Sequence, residues 1–174
     1  ITIASQMVRS GDADLVIAGG VESMTRAPWV QAKPDRAWAK PGDAFDTSIG
    51  WRFTNPRLKE RVKATFSMPE TAEEVARVED ISRADADAFA IQSHQRAIAA
   101  IDAGRFVDEI VAVQTPRGLF SVDEGPRRDT TLDVLNGLRP VVAGGNVVTA
   151  GNASSLNDGA SAVIVASEAA IARL

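Results

Sequence analysis

The sequence predicts an α/β fold, and three observations support this prediction. Residues 2–10 carry apolar side chains at helical spacing and end at Gly11, a residue that commonly stops helices. This helix leads directly into the apolar run Leu15–Ala18, and a second such run, Ser161–Ala166, lies near the other end of the chain. Short apolar runs beside helices are typical of strands buried on both faces of a parallel sheet. We therefore expect an α/β core built from both ends, closed by a helix over Glu168–Leu174.

The segment that follows the first core piece lacks periodicity. Residues 25–65 contain all three tryptophans and four of the eight prolines. A long irregular segment is typical of a functional excursion or of a linker, and disordered linkers are poor in aromatic residues. We therefore expect residues 25–65 to form an ordered excursion with small apolar clusters of its own.

Two helices are predicted after this excursion. The first begins near Met68, where Thr71 and Glu74 have the spacing of a capping box. The second begins at Ser82, with Asp85 at the same spacing. The second helix is the strongest helical pattern in the chain because its apolar residues form one stripe, namely Phe89, Ala90, Ala97, Ile98 and Ile101.

The remaining elements are shorter. Gly104 is expected to end the second helix, and Glu109–Val113 is predicted to be a strand. A short helix is expected over Thr130–Leu138. Residues 157–159, Asn-Asp-Gly, predict a turn before the second core strand, and Ser167 is expected to cap the final helix.

Composition excludes several classes of function. The net charge of the 174 residues is −4, and the basic residues do not cluster extensively, so nucleic acid is not an expected partner. The chain has no cysteine and one histidine, which leaves no thiolate or multi-histidine metal site. No apolar run approaches the roughly 18 residues that span a membrane, and no basic leader precedes an apolar segment. We expect a cytoplasmic protein, and the start without methionine in helical sequence predicts a fragment.

Four stretches have residue types that occur in catalytic or binding sites, and each also has a structural interpretation. His94 has the residue type of a general base, but a partly exposed helix histidine is the favoured interpretation. Asp123-Glu124 has the residue types of an acid/base pair, and the Gly-Pro that follows favours a turn. Arg127-Arg128, ahead of a helix, fit a phosphate site or a solvated pair equally well. Gly19-Gly20 lacks the G-x-G-x-x-G pattern of dinucleotide loops and indicates a close backbone approach instead.

The stretch from Gly151 to Gly159 is rich in small and polar residues. Its backbone amides and carbonyls can approach a ligand closely, and a tight structural turn explains the same composition. Composition alone leaves these two alternatives open.

Three blocks of the sequence resemble the thiolases, acyl-CoA acyltransferases that cleave or form 3-oxoacyl-CoA. They are RSGDADLVIAGGVESMTRAPWV at residues 9–30, SRADADAFAIQSHQRAIAAIDAGRFVDEIVAV at 82–113, and DEGPRRDTTLDVLNGLRPVVAGGNVVTAGNASSLNDGASAVIVASEAA at 123–170. Ketoacyl synthases share the helix–strand–AGG element but not the other motifs. Residues 46–56 (DTSIGWRFTNP) and 67–72 (SMPETA) are similar to 3-oxoadipyl-CoA (β-ketoadipyl-CoA) thiolases of aromatic-compound breakdown.

The resemblance implies a fold of two similar α/β halves with a loop domain inserted in the first half. Residues 1–22 and 156–174 are then pieces of the N-terminal α/β domain, and 23–155 form the inserted, CoA-binding loop domain. The chain is expected to be a central fragment lacking both ends of the enzyme.

The resemblance also implies that no catalytic residue is present. The family's nucleophilic cysteine would lie about two helical turns before Ile1, and the remaining catalytic groups would lie beyond Leu174. His94 stands in no catalytic motif of the family. Claisen cleavage requires a nucleophile, a base and oxyanion donors, so the isolated chain is expected to be inactive.

The CoA side of the site can be carried over residue by residue. Arg127 matches an arginine near the nucleotide end of CoA. Leu135 and Leu138 match apolar wall positions on the short helix that follows. Ala150 and Ser154 match residues that line the pantetheine tunnel.

One further match, Met68, lies near the acyl group in the family, and many thiolases have His-Met-Gly where this chain has Ser67-Met68-Pro69. This difference is expected to bear on the acyl group accepted. The implied reaction is thiolytic cleavage of a 3-oxoacyl-CoA, such as 3-oxoadipyl-CoA, to acetyl-CoA and a shortened acyl-CoA through an acyl-cysteine, in aromatic-compound degradation or fatty acid β-oxidation.

Coenzyme A is expected as a substrate, with no further cofactor, and the full enzyme as a homodimer or homotetramer. Two alternatives stay open. One is a non-catalytic module that binds CoA or pairs with a partner, and the other is an acetyl-CoA C-acetyltransferase.

Overall fold

The computed structural model describes residues 1–61 and 65–174. They form two compact units, one of Ile1–Ser48 with Leu156–Leu174 and one of Ile49–Ser155. The assignment of residues 23–155 to an inserted loop domain stays a prediction.

The described residues contain both helices and strands. The helices are α1 (Thr2–Ser10), α2 (Pro56–Lys59), α3 (Met68–Val78), α4 (Arg83–Asp102), α5 (Leu132–Asn136) and α6 (Glu168–Arg173). The strands are β1 (Leu15–Glu22), β2 (Trp29–Gln31), β3 (Ala44–Asp46), β4 (Val113–Thr115), β5 (Gly118–Phe120) and β6 (Gly159–Ala166). This mixed content agrees with the predicted α/β class.

In the first unit, β1 and β6 form an antiparallel pair, in register from Leu15 opposite Ala166 to Glu22 opposite Gly159. The expectation of strands buried on both faces of a parallel sheet is wrong for this pair, because Ile17 is 70% exposed. Val16 on the opposite face is half-buried, and α1 contacts both strands. An apolar run can indicate that a strand has two apolar faces, but it gives neither the direction of its neighbour nor what covers each face.

The ends of these strands are tied together by Asp158. Its carboxylate accepts hydrogen bonds from the backbone N–H (2.9 Å) and the hydroxyl (2.6 Å) of Thr25. These hydrogen bonds, that of the hydroxyl first, hold the pKa of Asp158 below its usual value. The predicted Asn-Asp-Gly turn is wrong, because Gly159 already belongs to β6. β1 is longer than the predicted apolar run Leu15–Ala18, because it continues through Gly19 to Glu22.

Several helix ends follow local sequence signals. Gly11 follows α1 with a φ of 81°, in the left-handed region where glycine is favoured. Ser82 and Asp85 form the predicted capping box of α4, and Ser167 accepts a hydrogen bond from the N–H of Ala170 at the start of α6. These predictions are confirmed because each depends on residues within one helical turn.

The predicted cap of α3 is wrong. Ser67, rather than Thr71, caps this helix and forms a capping box with Glu70. The hydroxyl of Thr71 instead donates to the carbonyl of Ser67 (2.9 Å). Pro69 lies in the first turn, where its missing N–H costs nothing, so the helix begins at Met68.

Two further predictions in the second unit need correction. Phe89 of the predicted apolar stripe is 71% exposed, and the buried residue of α4 is Asp87. The strand predicted at residues 109–113 lies instead at β4, which pairs antiparallel with β5 around residues 116–117. Residues 105–110 still make helix-like turns after α4, as in the hydrogen bond from the N–H of Ile110 to the carbonyl of Phe106 (3.1 Å). The predicted helix over 130–138 is present as the shorter α5.

Candidate functional site

The loop containing Gly151 packs directly against the short helix α5. A Cβ atom at Gly151 would lie 2.6 Å from Cδ1 of Leu138, and closer still to Cδ2 of Leu135. Leu135 is only 2% exposed, whereas Leu138 is half-buried. Two of the predicted site residues are therefore brought against the loop predicted to meet a ligand. The side chain of Leu135 packs against Gly151 and is almost fully buried, so it supports the loop without being exposed to a ligand.

A buried carboxylate joins this loop to α4. Asp87 is fully buried, and its Oδ2 atom accepts a hydrogen bond from Nε of Arg83 at 2.6 Å. Its other oxygen, Oδ1, accepts from Nδ2 of Asn152 at 2.8 Å. The two carboxylate oxygens thus serve two different parts of the chain, and the buried charge is paired within one helical turn.

Arg83 also holds the carboxyl end of α5. Its Nη2 atom donates to the carbonyl oxygens of Leu135 (2.6 Å) and Leu138 (3.2 Å). The last carbonyl groups of a helix have no partner within the helix and carry partial negative charge. A guanidinium at this position therefore satisfies these acceptors and anchors the helix that packs on Gly151.

Asn152 fixes the conformation of the loop itself. Its side-chain oxygen accepts from the backbone N–H of Thr149 (2.8 Å), and its Nδ2 atom also donates to the carbonyl of Val147 (2.8 Å). Thr149 is fully buried. Its hydroxyl accepts a hydrogen bond from the backbone N–H of Gly151 (3.2 Å). Side-chain hydrogen bonds therefore hold the backbone before and after Ala150, which suits a surface that contacts a ligand through backbone groups.

A second carboxylate, that of Glu73 on α3, binds the approach to the same loop. It accepts hydrogen bonds from the backbone N–H groups of Asn146 (3.2 Å), Val147 (3.0 Å) and Val148 (2.7 Å). Burial raises the pKa of Glu73, but these hydrogen bonds and the charge of Arg83 outweigh it, so the pKa lies below its usual value. Glu73 is therefore held as a carboxylate.

Arg83, Asp87 and Glu73 were not identified from the sequence as site residues, and Asn152 was noted only as part of a small polar loop. The sequence contained one indication of the role of Asp87. This residue lies on the same face of α4 as Ala90 and Ala97, one turn closer to the start of the helix. A polar residue on a buried helical face requires a partner. Glu73 binds backbone N–H groups, and such partners cannot be recognised from residue types in the sequence.

The other predicted site residues lie at the surface. Ala150 and Ser154 are exposed in the loop that Asn152 fixes, and Met68 is exposed in the first turn of α3. Arg127 is exposed, and its backbone N–H donates to Nδ1 of His94 (3.2 Å). Its guanidinium makes no hydrogen bond or ion pair within residues 1–61 and 65–174, so it remains available to a ligand.

The neighbouring arginine has a different environment. Both Nη atoms of Arg128 donate to the carboxylate of Asp102, with Nη1 at 2.9 Å from Oδ2. From the sequence, the two arginines fitted a phosphate site or a solvated pair equally well. The structure distinguishes them, because Arg128 is in an ion pair at the end of α4. His94 is a half-buried residue of α4 that accepts from a backbone N–H, which agrees with the favoured interpretation of this histidine.

Two other kinds of feature are absent from the part of the chain that the structure describes. Within it, no three or more acidic, histidine or cysteine residues are grouped so as to hold a metal ion. None of its helices combines the length and apolar character needed to cross a membrane.

Comparison with known proteins places these features in a family context. The family model for the N-terminal domain of thiolases matches residues 1–169. The β-ketoadipyl-CoA thiolase of Pseudomonas aeruginosa is 49% identical over 176 residues, which cover 98% of this chain and 43% of that protein. The corresponding Escherichia coli protein is 48% identical over 170 residues, covering 95% of this chain and 42% of that protein.

A solved structure is also similar. The human mitochondrial 3-ketoacyl-CoA thiolase in complex with CoA matches with a TM-score of 0.77 and 36% identity, covering 97% of this chain and 41% of that chain. The chain therefore spans less than half the length of the relatives it matches.

Proposed function

Because this chain belongs to the thiolase family, we propose that it forms the coenzyme A-binding part of a thiolase that cleaves 3-oxoadipyl-CoA. In this reaction a cysteine thiolate attacks the C3 carbonyl and the C2–C3 bond breaks. The acetyl-CoA enolate takes a proton, and the acyl group passes from cysteine to the thiol of a second CoA. The 174 residues contain no cysteine, so the acyl-accepting sulfur is not among them.

The observation that carries this proposal is the packing of Gly151 on Leu135 and Leu138. It presents the backbone around Ala150 as a fixed surface, with the side chains of Ala150 and Ser154 small enough for pantetheine amides to approach. The unengaged guanidinium of Arg127 supplies a cation for the nucleotide end of CoA. The names of the similar bacterial proteins support 3-oxoadipyl-CoA over acetoacetyl-CoA as the substrate.

A non-catalytic module that binds CoA or pairs with a partner is the second candidate. It is favoured by the same lack of cysteine, since every candidate role on this chain is a binding role. For the thiolase we further propose a cytoplasmic homodimer or homotetramer that uses CoA as a substrate without another cofactor. The resemblance to the thiolases supports these assignments.

An activity assay tests whether this chain binds CoA without catalysing thiolysis. The purified 174-residue chain is expected to show no thiolysis of 3-oxoadipyl-CoA above the uncatalysed rate, because it has no thiol to accept the acyl group. Loss of absorbance of the Mg²⁺–enolate of the substrate in the presence of CoA provides the measurement. Cysteine-independent turnover by this chain would contradict the proposal.

Calorimetric titration with CoA tests the binding role. Arg127→Ala is expected to weaken binding about tenfold, the effect of losing one charge-assisted hydrogen bond. Arg128→Ala is the matched control, since that arginine is already paired with Asp102, and it should change the Kd much less. Equal effects of the two substitutions would contradict the role given to Arg127.

A further inference from the structure

A separate cavity of about 1070 Å³ lies in the second unit. It is lined by parts of residues 49–61, 65–70 and 141–143. Trp51 and Phe66 provide apolar surface in this lining. The volume and the mixed lining suit an acyl chain with a polar end.

Cationic side chains predominate among the charged groups that line this cavity. Arg52, Lys59 and Arg61 contribute positive charge, while Glu60 and Glu70 contribute negative charge. The carboxylate of Glu70 is engaged in the N-terminal cap of α3. The lining therefore favours an anionic ligand.

The guanidinium of Arg52 is incompletely paired. Its Nη1 atom donates to the carbonyl of Trp51 (2.8 Å). Its Nε atom is buried and, within the described residues, has no hydrogen-bond partner. A buried donor of a charged group without a partner is costly, and a carboxylate is the acceptor that a guanidinium binds best.

We propose that Arg52 in this cavity binds the terminal carboxylate of a dicarboxylic acyl group, and so selects thioesters such as 3-oxoadipyl-CoA over acyl-CoAs that end in a methyl group. This inference rests on the proposed function and on the thiolase resemblance, which implies that Met68 lies near the acyl group. Met68 lies between Ser67 and Pro69, and both of these line the cavity. Trp51 and Phe66 then cover the methylene groups that precede the carboxylate.

The central experiment compares adipoyl-CoA with hexanoyl-CoA by calorimetry on the 174-residue chain. The two thioesters have acyl chains of equal length and differ in a terminal carboxylate against a methyl group, and neither undergoes thiolytic cleavage. The unmodified chain is expected to bind adipoyl-CoA about tenfold more tightly. Arg52→Gln is expected to abolish this preference while leaving the Kd of CoA itself unchanged.

Arg57→Gln is the matched control, because Arg57 is an exposed arginine of α2 that does not line the cavity. It should preserve the preference. An unmodified chain that binds both thioesters equally, or an Arg52→Gln variant that keeps the preference, would overturn the inference even if CoA binds normally.

A second measurement separates this inference from the CoA site. Monomethyl adipate has one carboxylate and dimethyl adipate has none, and neither contains CoA. Only the monomethyl ester is expected to shift the NMR resonance of the Arg52 Nε–H group in a saturable manner. Loss of CoA binding with this shift retained would contradict the proposed function alone, whereas no saturable shift, or a shift with both esters, would overturn the role of Arg52.

Discussion

Asp87 is a fully buried residue whose two carboxylate oxygens contact different parts of the chain. One oxygen is bound by Arg83, which also holds the end of α5, and the other is bound by Asn152 of the loop that contains Gly151. Removing one partner of a buried ion pair leaves the other charge uncompensated, which costs more than the pair itself contributes. The geometry of the loop therefore depends on a residue that does not need to touch the ligand.

Asp87→Asn tests this dependence. The substitution keeps the shape of the side chain but removes its charge. It also places an NH₂ group, which is a donor, next to the donors Arg83 or Asn152. The free energy of unfolding in urea is expected to fall by about 3 kcal/mol, and CoA binding should weaken because the loop loses its anchor.

The matched control is Asp102→Asn, since Asp102 pairs with Arg128 at the surface. Exposed ion pairs contribute about 1 kcal/mol or less. Similar losses for the two variants would show that the buried network has no special role.

At the level of secondary-structure elements, α3 is joined to the loop through the side chain of Glu73. Glu73 accepts hydrogen bonds from three consecutive backbone N–H groups, those of residues 146–148. Gly145 lies close beside it, since a Cβ there would lie 2.5 Å from Oε1 of Glu73 and would displace this carboxylate. The helix thus positions the segment that precedes the loop containing Gly151.

This contact predicts a pH dependence. The pKa of Glu73 is lowered from a usual value of 4.5. Its stabilising contribution is therefore complete above that value and is lost as the pH falls through the lower pKa of the folded chain. Glu73→Gln is expected to reduce the free energy of unfolding by about 2 kcal/mol at neutral pH.

The measurement is urea unfolding of both chains at a series of pH values. The difference between them should shrink as the pH falls below 4.5, because the protonated Glu73 then resembles glutamine. Glu79→Gln, at the exposed end of α3, serves as the control. A difference that stays constant down to acid pH would contradict the role of the Glu73 charge.

For the molecule as a whole, one face of the β1–β6 pair is apolar and open to solvent. Ile17 and Ile164 lie opposite each other on this face and are 70% and 68% exposed, and Val21 lies further along it. The pair also has two free strand edges within the described sheet. Exposed apolar faces and open edges promote association between chains.

We expect the isolated chain to self-associate as its concentration rises. The double substitution Ile17→Thr, Ile164→Thr should reduce this association, since threonine keeps the branched side chain that suits a strand but adds a hydroxyl. Sedimentation equilibrium measures the effect. Val111→Thr, at an exposed position outside the sheet, should leave the association unchanged, and an equal effect of both changes would exclude the sheet face as its cause.

Different parts of the fold and site were predictable to different degrees. The caps at Ser82 and Ser167 were predicted because an N-cap uses donors two or three residues away. The cap of α3 was predicted wrongly because Ser67 with Glu70 and Thr71 with Glu74 both have the spacing of a capping box. Pro69, which suits the first turn of a helix, favours Ser67. Leu135 and Leu138 were predicted from the thiolase resemblance, which could not show that Leu135 packs against Gly151.

The sequence predicts the thiolase family, the α/β class and most helix positions, because these depend on motifs and on contacts within a few residues. It does not predict the antiparallel direction of β1 and β6, the burial of Asp87 or the binding of residues 146–148 by Glu73, which are seen in the folded chain. Those features join groups far apart along the chain, as in the 65-residue separation of Asp87 and Asn152. The identity of such a partner is set by how the whole chain packs, so no local pattern specifies it.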